Sequence, residues 1–163
     1  MFTRPNVTAT RLPADSALLS RKQRGDFLDC YSVPSTATPR AAAEIITSFP
    51  GWAQVLVKLR ALITAPFGLS QVGPEAADKL GPFPVESESG TELIAGFDDK
   101  HLDFRVSVRS EDGVVSLATW VHPHNIGGRL YLGLIMPFHI MIVRDALARV
   151  ARNDALRTPP HPA

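Results

Sequence analysis

The stretch from His101 to Val143 constrains the fold most, because two alternating strands lead directly into a long apolar run. Residues 101–109 and 114–122 alternate apolar and polar side chains, which is the pattern of half-buried strands. Asp112-Gly113 between them is typical of a two-residue hairpin loop. Residues 130–143 then form an apolar run of 14 residues that contains Pro137 and His139. A bilayer span needs about 20 residues, so we interpret the run as a core helix and expect no membrane span.

The register of this hairpin decides which side chains share a face, since a slip of one residue would mix the faces. A two-residue loop pairs Asp103 with His122, Arg105 with Trp120, and Phe104 with Val121. One face of the hairpin is then apolar. The other face carries His101, Asp103, Arg105, Trp120, His122 and His124.

The polar face of the hairpin has three interpretations. It is the solvated outer face of a half-buried sheet, or the polar end of a ligand cavity, or a zinc site made of histidines and one carboxylate. In the cavity interpretation, Asp103 orients His122 and raises the basicity of its imidazole toward that of a general base. The spacing matches no recognised metal pattern. We therefore predict neither a metal nor a cofactor.

The remaining elements indicate an α+β fold. Residues 27–33, 83–88 and 92–97 have strand character, and Thr38-Pro39 and Pro50 each begin a helix. In the second helix, apolar residues recur at the spacing of one buried stripe. They are Trp52, Val55, Leu56, Leu59, Leu62 and Ile63. Successive hairpins make the sheet antiparallel. The sequence thus predicts a five-stranded curved antiparallel sheet packed on a long C-terminal helix, with two short helices after the first strand.

Composition and the chain ends set the domain organisation. We expect a flexible tail at residues 1–25, which adds nothing to the core, one domain at residues 26–152, and a flexible proline-rich tail at residues 153–163. The net charge of +1 gives no basic footprint for nucleic acid. Cys30 is the only cysteine, so no intrachain disulfide can form. This fits a reducing compartment, and we expect a cytoplasmic protein.

Three segments together resemble the bacterial domain-of-unknown-function family 2867: His101–Val108, His122–Tyr131 and Ile135–His139. They contain His-x-His-Asn, Gly-Arg-x-Tyr and Pro-Phe-His elements, and the likeness covers roughly residues 26–152. This family is similar to the START and polyketide-cyclase superfamily. The resemblance therefore implies a helix-grip fold, in which a curved sheet wraps a C-terminal helix, but no established activity.

These observations lead to three hypotheses of function. The first is binding of a small apolar or amphipathic molecule in a cavity between the sheet and the C-terminal helix. The second is a cyclase-, hydratase- or isomerase-like enzyme with Asp103 and His122 as the catalytic pair. The third is a structural or homodimerisation module that uses the exposed side of the helix. The expected ligand-binding residues are Arg105, Trp120, His124, Asn125, Tyr131, Phe138 and His139.

Overall fold

The computed structural model of the protein describes residues 5–68 and 73–157, which form an α+β fold. The strands are β1 (Thr8–Ala9), β2 (Phe27–Pro34), β3 (Lys79–Leu80), β4 (Phe83–Glu88), β5 (Glu92–Asp98), β6 (Leu102–Glu111) and β7 (Val114–Pro123). The helices are α1 (Pro39–Thr47), α2 (Gly51–Thr64) and α3 (Ile126–Arg157). Two 3₁₀ turns lie at Ala17–Arg21 and Ala65–Phe67.

All seven strands belong to one curved antiparallel sheet with the order β1-β2-β7-β6-β5-β4-β3. The five predicted strands are all present. β1 and β3 were missed because each has only two residues and therefore shows no alternation. The antiparallel sheet with a long C-terminal helix confirms the predicted fold class.

The register of the β6–β7 hairpin is the predicted one. Asp103 lies opposite His122, and Phe104 lies opposite Val121. Asp112 and Gly113 have φ values of 52° and 73°, and positive φ at both loop residues is the requirement of the turn that suits a twisted hairpin. The two faces of the sheet are consequently those expected from the alternation of side chains.

One face of the sheet, here called the helix face, packs on the C-terminal half of α3. The core between them includes Val33, Leu93, Val108, Val115, Leu117, Val143, Ala146, Leu147 and Val150. Asn125 caps the start of α3, since its side-chain oxygen accepts a 3.0 Å hydrogen bond from the Gly128 N–H. The helix continues through Pro137 and ends at Arg157 rather than near Arg152. The first residues of the predicted C-terminal tail are thus helical, and residues 158–163 lie outside the described chain.

α1 begins where the sequence predicts it. Thr38 accepts a hydrogen bond from the Ala41 N–H, and Pro39 occupies the first helical position. The end of α1 is fixed by Arg149 of α3, whose guanidinium donates to the carbonyl oxygens of Ile45 at 2.7 Å and Ser48 at 2.8 Å. These bonds satisfy carbonyl groups that a helix end leaves without an intrahelical partner.

Residues 5–25 are here called the N-terminal arm. Its first residues form the edge strand β1 beside β2, and Val7 packs in the core of the helix face. The rest of the arm covers the opposite face of the sheet. Leu18 of the arm is fully buried and packs with Cys30, Ile94, Ala118 and Trp120. The prediction that this segment adds nothing to the core is therefore wrong for the described residues. The sequence did not reveal this packing because the arm is mainly polar and has few apolar residues such as Leu18. Its hydrogen bonds, such as that from Ser16 to Glu92, join residues that are far apart in the sequence. We call the covered sheet surface the arm face.

The predicted buried stripe of α2 is also wrong where it can be compared. Trp52, Val55 and Leu62 are exposed, whereas the side chains of Leu56, Leu59 and Ile63 lie outside the described part of the structure. Among the α2 side chains that the structure describes, the buried one is Ala53. A helical apolar period shows that a helix has an apolar face, but it does not show which partner covers that face.

Candidate functional site

The predicted site residues do not converge on one cavity. Four predicted site residues project from the arm face: Asp103, Arg105, Trp120 and His122. Each is an even number of residues from Ser107 or Ala118 in its own strand, and alternate residues of a strand point to the same face. His124 and Asn125 lie between β7 and α3. The other three predicted ligand-binding residues, Tyr131, Phe138 and His139, belong to α3.

The polar residues of the arm face are buried or half-buried, since the side chains of His122 and Asp103 are 32% and 23% exposed. Arg105 is only 7% exposed. Its guanidinium donates to Glu86 at 2.5 Å and to Asp98 at 2.8 Å. These ion pairs hold the Arg105 side chain between neighbouring strands, so the structure gives it a packing role on this face.

His122 takes its carboxylate partner from Asp26 rather than from Asp103. His122 Nδ1 lies 2.5 Å from Asp26 Oδ1, and the Trp120 indole N–H donates to Asp26 Oδ2 at 2.8 Å. Burial raises the pKa of Asp26, but hydrogen bonds from His122, the Gln23 backbone and Trp120 lower it, and the net pKa lies below the ordinary value. Asp26 is thus held as a carboxylate at neutral pH.

Asp103 instead accepts from the next histidine along the chain. His124 Nε2 lies 2.9 Å from Asp103 Oδ1. This hydrogen bond raises the pKa of His124 above its ordinary value, because the carboxylate stabilises the imidazolium form. The pairing of an aspartate with a histidine on this hairpin was expected, but the pair is Asp103 with His124.

A third pair lies on the helix face. Asp29 of β2 and His139 of α3 are joined by a contact of 2.9 Å between Asp29 Oδ2 and His139 Nε2. The other carboxylate oxygen, Asp29 Oδ1, is buried and has no hydrogen-bond partner. A buried carboxylate oxygen normally has a partner, so this atom is able to accept a bond from a further group.

An open groove of about 490 Å³ lies beside these pairs, between the start of β2, the end of β7 and the N-terminal half of α3. It is lined mainly by apolar groups, with two charged residues. The lining residues are Gly25, Asp26, Phe27, Pro123, Arg129, Leu132, Gly133 and Met136. Phe27 separates the groove from the third pair, since its ring meets the His139 ring edge-on with centroids 5.9 Å apart.

Arg129 is the exposed cation of this groove. Its guanidinium reaches over Gly25, because an added Cβ atom there would lie 3.5 Å from Arg129 Nη2. The Arg129 side chain is exposed, and the strand-end carboxylate of Asp98 is bonded to Arg105 instead. Among the described residues, Arg129 forms no salt bridge with a carboxylate. It is therefore available to an anionic group.

Sequence reasoning missed Asp26 and Asp29 as site residues. Asp26 is 96 residues from His122, and Asp29 is 110 residues from His139. The only hint in the sequence was that two aspartates, Asp26 and Asp29, lie close to Phe27 at the start of a strand. The histidine partners of these aspartates cannot be inferred without knowing that β2 pairs with β7. Within residues 5–68 and 73–157, no cluster of three or more His, Cys, Asp or Glu side chains is placed to hold a metal ion.

Comparison with known protein families shows to which family the chain belongs. A family described as a protein of unknown function, DUF2867, matches residues 22–146, which is more than half of the chain. The chain belongs to the DUF2867 family. No curated protein and no solved structure matches it. The matched range of the DUF2867 domain includes β2 to β7 and most of α3, whereas β1 and the rest of the N-terminal arm up to Arg21 lie outside it. The START likeness and the bacterial origin stay predictions.

Proposed function

We propose that this DUF2867 domain binds a small amphipathic molecule with an anionic group, in the groove beside the N-terminal half of α3. The observation that supports the proposal is the lining of that groove. Phe27, Leu132 and Met136 offer an apolar wall, and Arg129 offers a cation at its edge. Ligand sites commonly combine an apolar lining with a few polar groups that fix orientation.

The balance of charge in the groove favours an anion over a cation. Asp26 also lines the groove, but its carboxylate is already engaged by His122 and Trp120. The side chain of Asp26 is only 1% exposed. Arg129 therefore carries the accessible charge, and a carboxylate or phosphate would meet it with charge-assisted hydrogen bonds.

Calorimetric titration with matched single-chain amphiphiles tests this proposal. Decanoate, below its micellar concentration, should bind, and decyltrimethylammonium should bind at least about tenfold more weakly, since about 1.4 kcal/mol separates tenfold affinities. Arg129→Gln should weaken decanoate binding, whereas Arg152→Gln, an exposed residue of the same helix, should not.

A second variant examines the groove itself. An added Cβ at Gly133 meets no atom within 4 Å, so Gly133→Leu should fold and fill the groove. Binding of decanoate should then be lost while that of the Arg152→Gln control persists. Equal affinity of the wild type for both amphiphiles, or full binding by Gly133→Leu, would contradict the proposal. Native mass spectrometry of the purified protein gives an independent readout, namely a retained small molecule.

A second candidate function is acid–base catalysis, and the specific observation in its favour is the Asp29–His139 pair. An imidazole oriented by a carboxylate is a common general base, and the buried Asp29 Oδ1 on the helix face has no hydrogen-bond partner. Incubation in D₂O with an enolisable ketone that has an apolar tail tests for proton abstraction. If the protein incorporates deuterium at the α-carbon of the ketone, and the His139→Gln variant does not, the result would support acid–base catalysis. The cytoplasmic location and the homodimer stay predictions.

A further inference from the structure

The N-terminal half of α3 exposes large apolar side chains along one stripe. Their exposed fractions run from 47% to 76%, and the residues are Ile126, Leu130, Leu134, Phe138 and Met141. Successive members are three or four residues apart, so they lie on one side of the helix. We call this set the apolar stripe.

The apolar stripe points away from the sheet. The buried side chains of α3 are Val143, Ala146, Leu147 and Val150, and all of them follow the last residue of the stripe. Within the stripe-bearing half, the contacts with the sheet come from other residues, such as His139 and the partly buried Ile140. In the most apolar 18-residue window of α3, mean hydropathy is 1.6 and only 11% of the window is buried. Single exposed apolar residues are ordinary, but a contiguous apolar surface of this kind marks an interaction site.

Charge identifies the kind of partner. The chain has 16 acidic residues, yet none lies between Gly113 and Arg144. Residues 113–144, which include the stripe, contain Arg129 and Arg144 as their only charged residues apart from histidine. An apolar helix face bordered by arginines is attracted both to hydrocarbon and to negative headgroups.

α2 shows the same combination independently. Trp52, Val55 and Leu62 are exposed, and no acidic residue lies between residues 45 and 74. Lys58 and Arg60 are the basic residues of that stretch. The stripe-bearing half of α3 and the whole of α2 thus both lack carboxylates, although acidic and basic residues are almost equal in number over the whole chain.

We propose that the apolar stripe of α3 docks the domain onto an anionic phospholipid bilayer, with the helix lying in the plane of the interface. By length and composition α3 could also cross a membrane. However, its C-terminal half is buried against the sheet by Leu147 and Val150, which leaves only the half with the stripe available to lipid. In a homodimer through the stripe, Arg129 and Arg144 of both copies would add to one positive surface, which opposes self-association.

The apolar residues of the docking surface are separate from those of the groove, although Arg129 borders both. Leu132 and Met136 line the groove, whereas Leu130 and Leu134 are exposed on the stripe. Docking therefore does not depend on the proposed ligand, and the two can be tested with different substitutions.

Flotation with lipid vesicles tests the docking of the full chain. The protein should float with vesicles of phosphatidylcholine containing about 30% phosphatidylglycerol, and much less with pure phosphatidylcholine. Raising the salt from about 0.1 M to about 0.5 M should reduce binding, because the Debye length shortens. The double variant Leu130→Glu/Leu134→Glu should lose binding by about tenfold or more, since each leucine contributes apolar area to the interface.

Two controls make the result decisive. Val114→Glu changes an exposed apolar residue in the β6–β7 hairpin and should leave vesicle binding unchanged, and circular dichroism should show that all variants are folded. Equal flotation with neutral and anionic vesicles, or undiminished binding by the double variant, would overturn the proposal. So would a dimer in sedimentation velocity that the double variant abolishes, because the stripe would then be a self-association face.

Discussion

Ser16 of the N-terminal arm donates a hydrogen bond of 2.5 Å from its hydroxyl to Glu92 Oε1 on β5. The other carboxylate oxygen of Glu92 accepts from the Ala17 N–H at 3.0 Å, and Ser107 donates to Oε1 from β6. Burial raises the pKa of Glu92, but these hydrogen bonds lower it, and the net pKa is below the ordinary value. A buried carboxylate therefore fixes the arm to the arm face.

Ser16→Ala should destabilise the fold by about 1–3 kcal/mol, because it removes one donor from a buried carboxylate. Guanidinium denaturation measures the loss. Ser20→Ala is the matched control, since its hydroxyl is exposed and bonds only within the same 3₁₀ turn, and it should change stability by less than about 0.5 kcal/mol. Equal stability of the two variants would mean that the arm does not depend on Glu92.

The arm should also contribute hydrophobic stability. Leu18 is fully buried, so Leu18→Ala should cost about 2–5 kcal/mol from lost transfer energy and a residual cavity. Leu156→Ala is the control, because this leucine near the end of α3 is 82% exposed. A thermal midpoint for Leu18→Ala that equals that of the control would show that the arm is not part of the core in solution.

The lowered pKa of Asp26 predicts that the folded protein loses stability at acid pH. Its pKa is lower in the folded protein than in the unfolded chain, so its contribution is present above the unfolded value of about 3.9 and is lost as pH falls through the folded pKa. Asp26→Asn should therefore be less stable than the wild type at pH 7, and the difference should shrink below about pH 4. Thermal melts of both proteins across this range measure it. A difference that stays constant with pH would contradict this account.

The sequence predicted most of the local structure, because alternation and turn chemistry act over a few residues. The pairing of Phe104 with Val121 follows from the Asp112-Gly113 loop alone, and the cap at Thr38 follows from its neighbour Pro39. Such features need no knowledge of the rest of the chain.

The contacts that build the candidate site could not be predicted in the same way. The hairpin places Asp103 directly opposite His122, yet His122 bonds to Asp26 because the chain before β2 crosses the same face. The partner of a side chain on a sheet face thus depends on which segment covers it. The arm is held on this face by the contacts of Leu18 and Ser16. Nothing in the sequence around these two residues indicates which distant residues they contact.

His124 should titrate according to its contact with Asp103. Its pKa is raised, so this pair adds stability below the unfolded histidine value of about 6.5, and that stability is lost as pH rises through the folded pKa. Asp103→Asn should lower the pKa of His124 in an NMR titration. Asp112→Asn, at the far end of the hairpin, should leave the His124 curve unchanged. If Asp103→Asn also leaves it unchanged, the 2.9 Å contact does not persist in solution.

Two glycines of α3 should respond in opposite directions to the same substitution. A Cβ atom at Gly128 would lie 2.4 Å from the His101 carbonyl oxygen and 3.3 Å from Pro123 Cβ. Gly128→Ala should therefore force the first turn of α3 away from the sheet and cost at least about 1–3 kcal/mol. At Gly133 the added atom meets nothing within 4 Å, so Gly133→Ala should stabilise the helix by about 0.5–1 kcal/mol. Denaturant midpoints that move in the same direction for both would contradict the close approach of α3 to His101.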